Sequence, residues 1–459
     1  MSTIAFRQYD IRGLVGEHLD AAFYERLGRS FATWMDREGQ TSVVVGQDAR
    51  ESSESFAGAL RAGLVAGGRR VLDIGLVTTP MTIFGLNYLG AGASVAVTAS
   101  HNPAEYNGAK LRCGGHPIFG EKLQSLRALF EKGDFIEGQG TVENFDVRAA
   151  YLDGIAGRVR PARSLKVVVD AGNGTGGLVV EDALSRLGFD VVPLFCEVDG
   201  SFPNHHPDPT KLKNLETLKE RVLATGADLG FGYDGDADRV TMLDERGQVH
   251  WPDRVLMVLA KRMLAQRPGG RVCFDVKCSQ VLADLVRDLG GEAVMTMTGY
   301  PFMLEAMAHP DALVGAELSG HSYFGGDALF DFDDGVYASA RIAECFAADP
   351  RPVSEQLAEM PASVSTPEIR VSVPEERKFA ITESLVEAFR ADSEVVELVD
   401  IDGARAAYPE GWGLVRASNT EPNLVLVFEA SDEAGLAKVK KRFADKLAAF
   451  PEVEGELEA

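Results

Sequence analysis

The sequence predicts an α/β protein made of three similarly built units followed by a small α+β domain. Two observations carry this expectation. The first is a recurring cadence of a β-type run, a polar turn, a helix-like stretch and a second β-type run. It appears in SVVVGQDAR (42–50) with ESSES, FAGALRAGLVAGG and RRVLDIG, then in SLKVVVDAGNGTGG with LVVEDALSRLG and FDVVPLF. It returns in GGRVCFDVKCS with QVLADLVRDLG and GEAVMTM. The second is a change of rhythm after Pro350, where PEIRVSVPEE, VVELVDIDGARAAY, GWGLVRASN and NLVLVFEA read as strands. Two helix-like stretches, KFAITESLVEAFRA and the amphipathic AGLAKVKKRFADKLAAF, lie among and after them.

A chain of 459 residues is too long for one hydrophobic core. Residues 1–150, 151–250, 251–360 and 361–459 are the expected domains. PARS (161–164) leads into the second, with AAYLDGIAGRV before it as a connector, and WPDR (251–254) opens the third.

Composition narrows the function classes. With 45% hydrophobic and 25% charged residues and no low-complexity tract, the chain reads as globular. A formal net charge of −23 repels polyanions and argues against general nucleic-acid or acidic-membrane binding. A small anionic substrate then requires a local convergence of basic side chains. The start MSTIAFRQYDIRG lacks the marks of a secretory signal, and no apolar run approaches membrane-spanning length, so a cytoplasmic location is expected, with no obligate protein partner evident. Five scattered cysteines without a Cys-x-x-Cys pair suggest neither a disulfide framework nor a zinc site.

Five short stretches hold the candidate chemistry. In VAVTASHNP an apolar run ends at Ser100 and His101, where a turn or helix cap is the plain alternative to a reactive hydroxyl. In YDGDADR, Asp234, Asp236 and Asp238 stand two apart. Three clustered carboxylates repel one another unless a cation sits among them, and oxygen-only ligands suit Mg²⁺ or Ca²⁺; a solvated acidic turn is the alternative. An EF-hand fails there because Arg239 occupies the position that needs glycine, and RVTMLD alternates like a strand.

AGNGTGG places Gly172, Gly174 and Gly177 in the dinucleotide-binding pattern after a strand, with Glu197 downstream. The competing reading is a glycine turn packed on a neighbouring backbone. GAELSGHSYF sets Glu317, Ser319 and His321 at alternating positions, which on an extended segment share one face and suit sugar hydroxyls. GLVRASNTEP puts Arg416 beside Ser418, Asn419 and Thr420, equipment for charge-assisted phosphate recognition or simply a polar loop.

In series, YDIRG (9–13), TASHNP (98–103), DGDADR (234–239), GAELSGH (315–321) and RASNTEP (416–422) resemble the α-D-phosphohexomutase superfamily, most closely its bacterial phosphomannomutase/phosphoglucomutase branch. FPNHHPDP, DVKCS and FDDG are similar too. The resemblance implies four domains around a central cleft, three α/β domains with mixed sheets and a small α+β fourth. It implies an intramolecular phosphotransferase that interconverts hexose 1-phosphate and hexose 6-phosphate, of mannose or glucose, through a phosphoserine at Ser100 and a hexose 1,6-bisphosphate.

Mg²⁺ would be held by Asp234, Asp236, Asp238 and an oxygen on Ser100. Arg239 would neutralise charge, and His101 and Lys110 would help as acid/base or electrostatic groups. Since side chains of adjacent residues diverge on a regular strand, Ser100 and His101 are not expected to pair. Glu317 and Ser319 would hold sugar hydroxyls, and Arg416, Ser418, Asn419 and Thr420 the distal phosphate. Tyr9, Arg12, Lys277 and His321 would add contacts; Arg12, Lys110, Arg239, Lys277 and Arg416 would form the basic cluster.

Two departures from the family pattern bear on sugar preference or phosphate affinity: Tyr300 in TGYPF where a histidine is common, and Val427 where an arginine is frequent. An NAD-dependent dehydrogenase built on AGNGTGG and a non-catalytic sugar-phosphate binder are the rival readings.

Overall fold

The structure is a computed structural model and describes residues 3–419 and 421–455. The chain divides into two compact units, Met1–Leu259 with Ser319–Leu357, and Ala260–Leu318 with Ala358–Ala459. No described helix is long and apolar enough to cross a membrane.

The first unit contains two mixed sheets. One runs Ile11–Leu14, Tyr106–Cys113, Ala93–Val97, Ser42–Gln47, Arg70–Leu76, Thr141–Asn144. Its interior strands are Val- and Ala-rich and buried on both faces, as parallel strands covered by helices must be. The antiparallel partner Tyr106–Cys113 returns beside Ala93–Val97, pairing Ala96 with Lys110 and Val97 with Ala109, so Lys110 comes back next to the strand that leads to Ser100.

The second sheet runs Val249–His250, Val240–Asp244, Leu229–Tyr233, Lys166–Asp170, Asp190–Leu194. Its central parallel strands end at Asp170 and Tyr233. Leu229–Tyr233 turns straight into the antiparallel Val240–Asp244, with Tyr233 opposite Val240, which confines 234–239 to a tight connecting loop. The helix-like LVVEDALSRLG is shorter than its pattern suggests. A 3₁₀ turn at Thr175–Leu178 precedes a helix of only seven residues, Val180–Arg186, because the glycine-rich start packs on other backbone.

In the second unit, Glu292–Thr296, Arg271–Asp275 and Ala312–Ala316 run parallel, and their carboxyl ends deliver Tyr300, Lys277 and Glu317. Functional groups gather at this end of a parallel sheet because the loops that follow the strands open there. The final sheet is antiparallel, with Asn423–Ala430 pairing Gly411–Ala417 and Ile369–Ser372. Helices Lys378–Arg390 and Glu433–Leu447 cover it through Phe389 and Phe443, whose rings lie 4.3 Å apart. Three α/β sheets and a C-terminal α+β sheet are the architecture expected from the sequence.

Candidate active site

In the first unit the loop after Ala93–Val97 meets the loop after Leu229–Tyr233. Ser100 is 1% exposed, and its Oγ donates to Asp234 Oδ2 at 2.7 Å. Its φ is +50°, a left-handed conformation that costs a serine of order 1 kcal/mol or more. This geometry overturns the expectation that Ser100 and His101 do not pair. The two residues lie on a turn rather than a strand, and Ser100 Oγ sits 3.1 Å from His101 Nδ1. Burial, together with the charges of Arg239, Arg12 and Lys110, holds the His101 imidazole well below its ordinary pKa, so it is neutral near pH 7.

The carboxylates of Asp234, Asp236 and Asp238 are buried and offer oxygens that all lie within 4.8 Å of one another. Burial and the other two carboxylates push Asp234 upward. Lys110 Nζ bridges Asp236, at 2.9 Å, and Asp238. Despite burial, these carboxylates raise the Lys110 pKa, so Lys110 is a fixed cation and not a base. Asp236 Oδ2 also accepts from Thr79 Oγ1 at 2.7 Å and Thr98 Oγ1 at 3.3 Å. Among the described residues, Asp236 Oδ1 and Asp238 Oδ1 are buried and accept no hydrogen bond. Orphaned carboxylate oxygens in an all-oxygen cluster beside a serine hydroxyl suit a hard divalent cation.

Arg239 donates from Nε to His321 Nε2 at 2.9 Å and from its backbone N–H to Asp234 Oδ1 at 3.2 Å. His321 Nδ1 faces Asp333 Oδ2 at 2.9 Å, and this carboxylate is the group that FDDG contributes. Next to it, Asp334 caps the helix Gly335–Ala347. Arg12 donates to Asn102 Oδ1 and Asp10, and its buried Nε has no hydrogen-bond partner among the described residues. Tyr9 is half-buried ahead of Ile11–Leu14.

Glycine backbone contact explains AGNGTGG. A Cβ on Gly174 would stand 2.6 Å from the Gly235 carbonyl oxygen, and one on Gly235 would stand 2.6 Å from the Ser100 carbonyl oxygen. Thr175 donates to the Gly235 carbonyl from its backbone N–H at 3.0 Å. The glycine motif therefore supports the aspartate loop, which supports the serine loop. The dinucleotide reading is corrected accordingly.

In the second unit, Lys277 is held 3.2 Å from Glu368 and 3.7 Å from Asp275. Against the cost of burial, Lys277 and Arg370 pull Glu368 down to about 2. Arg416 Nε donates to Asp402 Oδ2 at 2.8 Å, and the same oxygen accepts from the Thr298 backbone N–H at 3.0 Å. Ser418 is buried and Asn419 half-buried; Thr420 lies outside the described residues. The Gly299 backbone N–H donates to Glu317 Oε1 at 2.7 Å, just before half-buried Tyr300. Val427 is packed with Val276, Trp412 and Leu414, so it serves the core.

The extended face expected for Glu317, Ser319 and His321 is also corrected. The strand ends at Ala316, and the chain turns through 318–320, with Gly320 at φ +108°. Ser319 is half-buried in that turn.

Sequence reasoning missed Arg50, Thr79, Asp333, Asp402 and Glu368 as partners of these groups. Only FDDG gave a signal. The others stand in ordinary polar contexts and become legible once their partners are placed.

Comparison with known proteins follows the same order of parts. Family models for phosphoglucomutase/phosphomannomutase match along the chain: alpha/beta/alpha domains I at residues 3–137, II at 149–247 and III at 251–364, and the C-terminal domain at 368–446. A phosphomannomutase/phosphoglucomutase of Pseudomonas aeruginosa is 42% identical over 97% of this chain and 95% of its own. A phosphoglucomutase of Neisseria gonorrhoeae is 43% identical over 95% of each chain. A crystal structure of a phosphoglucomutase/phosphomannomutase family protein from Burkholderia thailandensis superposes with a TM-score of 0.90 at 38% identity, covering 98% of both chains. With its serine loop, its acidic loop and all four domain models accounted for in sequence, the chain belongs to the phosphoglucomutase/phosphomannomutase family.

Proposed function

We propose that this hexose-phosphate mutase moves a phosphoryl group between Ser100 and the 1- and 6-hydroxyls of a hexose phosphate, of glucose, mannose or both, through a hexose 1,6-bisphosphate. The observation that carries the reading is Ser100 Oγ, 2.7 Å from a carboxylate of a three-aspartate cluster that retains two orphaned oxygens. Phosphoryl transfer asks mainly for alignment and charge neutralisation.

Ser100 begins the cycle as a phosphoserine. As its Oγ–P bond breaks, the new P–O bond forms to a sugar hydroxyl, whose proton passes through the neutral imidazole of His101 to the departing Ser100 Oγ, 3.1 Å from Nδ1. In the second half, Ser100 Oγ bonds to the other phosphorus of the bisphosphate as that P–O bond to the sugar breaks, and the serine proton passes through His101 to the sugar oxygen released. Lys110, Arg239 and Arg12 offset charge on the travelling group. Mg²⁺ held by Asp234, Asp236 and Asp238 would supply further charge neutralisation when bound. Glu317, Ser319 and His321 are read as sugar contacts, and Arg416, Ser418, Asn419, Thr420, Lys277 and Tyr9 as phosphate contacts. In this reading residues 1–150 bring the nucleophile, 151–250 the acidic loop, 251–360 the sugar loop and 361–459 the phosphate loop.

Ser100→Ala, compared with the parent in a coupled assay on glucose 1-phosphate and mannose 1-phosphate separately, tests the reading. Loss of several orders of magnitude on both sugars is expected for removal of a covalent nucleophile. Full turnover by the variant would overturn it.

A further inference from the structure

Arg50 stands in QDARESSES, a segment that the proposed chemistry does not use. Its side chain is fully buried, and all five of its N–H groups are engaged. Nε donates to Asp48 Oδ2 at 3.1 Å. Nη1 donates to the carbonyls of Pro103 at 2.5 Å and Tyr106 at 3.0 Å. Nη2 donates to the carbonyls of Ser100 at 2.9 Å and Asn102 at 2.6 Å. One guanidinium thus binds four carbonyls of a single loop.

Asp48 in turn accepts from the Arg50 backbone N–H at 3.1 Å and from Ser53 Oγ, at the start of the helix Ser53–Ala66. Asn107, at the far end of the loop, donates to Ser52 Oγ at 2.7 Å and Ser53 Oγ at 3.0 Å. The ring of Phe202 lies 5.3 Å from the guanidinium carbon.

This clamp grips a loop under strain. Ser100 occupies left-handed backbone space that serine disfavours, and in that conformation its Oγ reaches Asp234. A planar fork with five divergent donors can hold carbonyls in several directions; an ammonium, with three donors at one point, cannot. We infer that Arg50 is a positioning residue for phosphoryl transfer, holding the Ser100–Tyr106 loop in its strained conformation so that Ser100 Oγ faces the aspartate cluster. The inference rests on the mutase reading for its kinetic consequence and on the loop geometry alone for its structural one.

The test compares Arg50→Lys and Arg50→Ala with the full-length parent. Misplacing a nucleophile by about 1 Å costs on the order of 100-fold. For Arg50→Lys we therefore expect kcat for glucose 1-phosphate to fall by about that factor, with KM held within about twofold. Intact-mass measurement should show phosphorylation of Ser100 by glucose 1,6-bisphosphate slowed in parallel. Guanidinium chloride at non-denaturing concentration should restore part of the rate of Arg50→Ala, and urea should not.

Without any sugar phosphate, hydrogen exchange read by mass spectrometry should rise in the peptide spanning 98–107 and stay at the parent level elsewhere. Arg50→Lys turnover within about threefold of the parent, which is far less than misplacement predicts, would overturn the inference. So would a loss borne by KM alone, or exchange that rises throughout the chain without guanidinium rescue. The exchange arm fails only if the clamp is wrong, whereas a fully active Ser100→Ala enzyme fails only the mutase reading.

Discussion

Lys110 Nζ lies 2.9 Å from Asp236 Oδ2 and reaches Asp238 as well, placing a fixed positive charge inside the oxygen cluster proposed to bind a divalent ion. Because the ammonium and an ion would share the same two carboxylates, removing it should have opposite effects on affinity and rate. Lys110→Met should bind Mn²⁺ more tightly, by roughly tenfold or more given the size of close charge–charge terms, and turn over substrate at least about 100-fold more slowly. Titration by electron paramagnetic resonance and a coupled assay check the two arms. Weaker ion binding in the variant would contradict the arrangement.

Asp236 Oδ1 and Asp238 Oδ1 are buried and accept no hydrogen bond among the described residues, so a bound divalent cation would satisfy oxygens that the protein's own donors do not. Adding Mg²⁺ to EDTA-treated protein should therefore raise Tm. A ligand specific for the folded state contributes about 2.7 kcal/mol at a hundred times its Kd. Asp236→Asn should abolish most of that rise in a calorimetric scan.

Gly174 touches no substrate group in the proposed chemistry, yet a methyl there meets Gly235 backbone at 2.6 Å. Gly174→Ala should displace the aspartate loop, weaken Mn²⁺ binding and cost about 1–3 kcal/mol of stability, as overpacking against backbone does. Unchanged ion affinity would show that the two loops are mechanically independent.

His205 Nε2 stands 3.1 Å from Asp170 Oδ2. Although burial pulls its pKa down, the hydrogen bond and charge of Asp170 hold it above the ordinary value of 6.5. A raised folded-state pKa means that the pair's stabilisation is fully present below about pH 6.5 and is lost as pH rises through the folded value. The stability gap between the parent and Asp170→Asn, measured by urea unfolding, should accordingly be widest at about pH 5.5–6 and narrow above neutrality.

Asp402 holds both Arg416 and the Thr298 backbone. Asp402→Ala should release the guanidinium and raise KM for the hexose phosphate by about tenfold while leaving kcat within about threefold, the signature of lost uniform binding. Steady-state kinetics separate the two.

Much of this was legible in the residues themselves. Alternation of β-type runs with helical periodicity located the three α/β sheets, and the spacing of Asp234, Asp236 and Asp238 located the acidic loop, because both signals are local. What escaped was set by tertiary contact. AGNGTGG has the letters of a cofactor loop, but its glycines answer to Gly235 and other backbone packed against them. GAELSGH alternates like a strand, but Gly320 turns the chain. Ser100 and His101 pair because a positive φ replaces strand geometry at that point. Arg50 shows no periodicity or motif of its own, and its importance is visible only through four carbonyls 50 to 56 positions away.

The chain crosses from one compact unit to the other and back, so that Ser319–Leu357 rejoins Met1–Leu259. That excursion returns His321 and Asp333 to Arg239. Neither half can therefore be obtained by cutting the gene once. A polypeptide stopping at Leu259 would lose the imidazole that orients Arg239, and one starting at Ala260 would carry a helical segment whose packing partners had been left behind. Dissecting this enzyme into separately expressed pieces calls for circular permutation or a spliced linker across 260–318, not simple truncation.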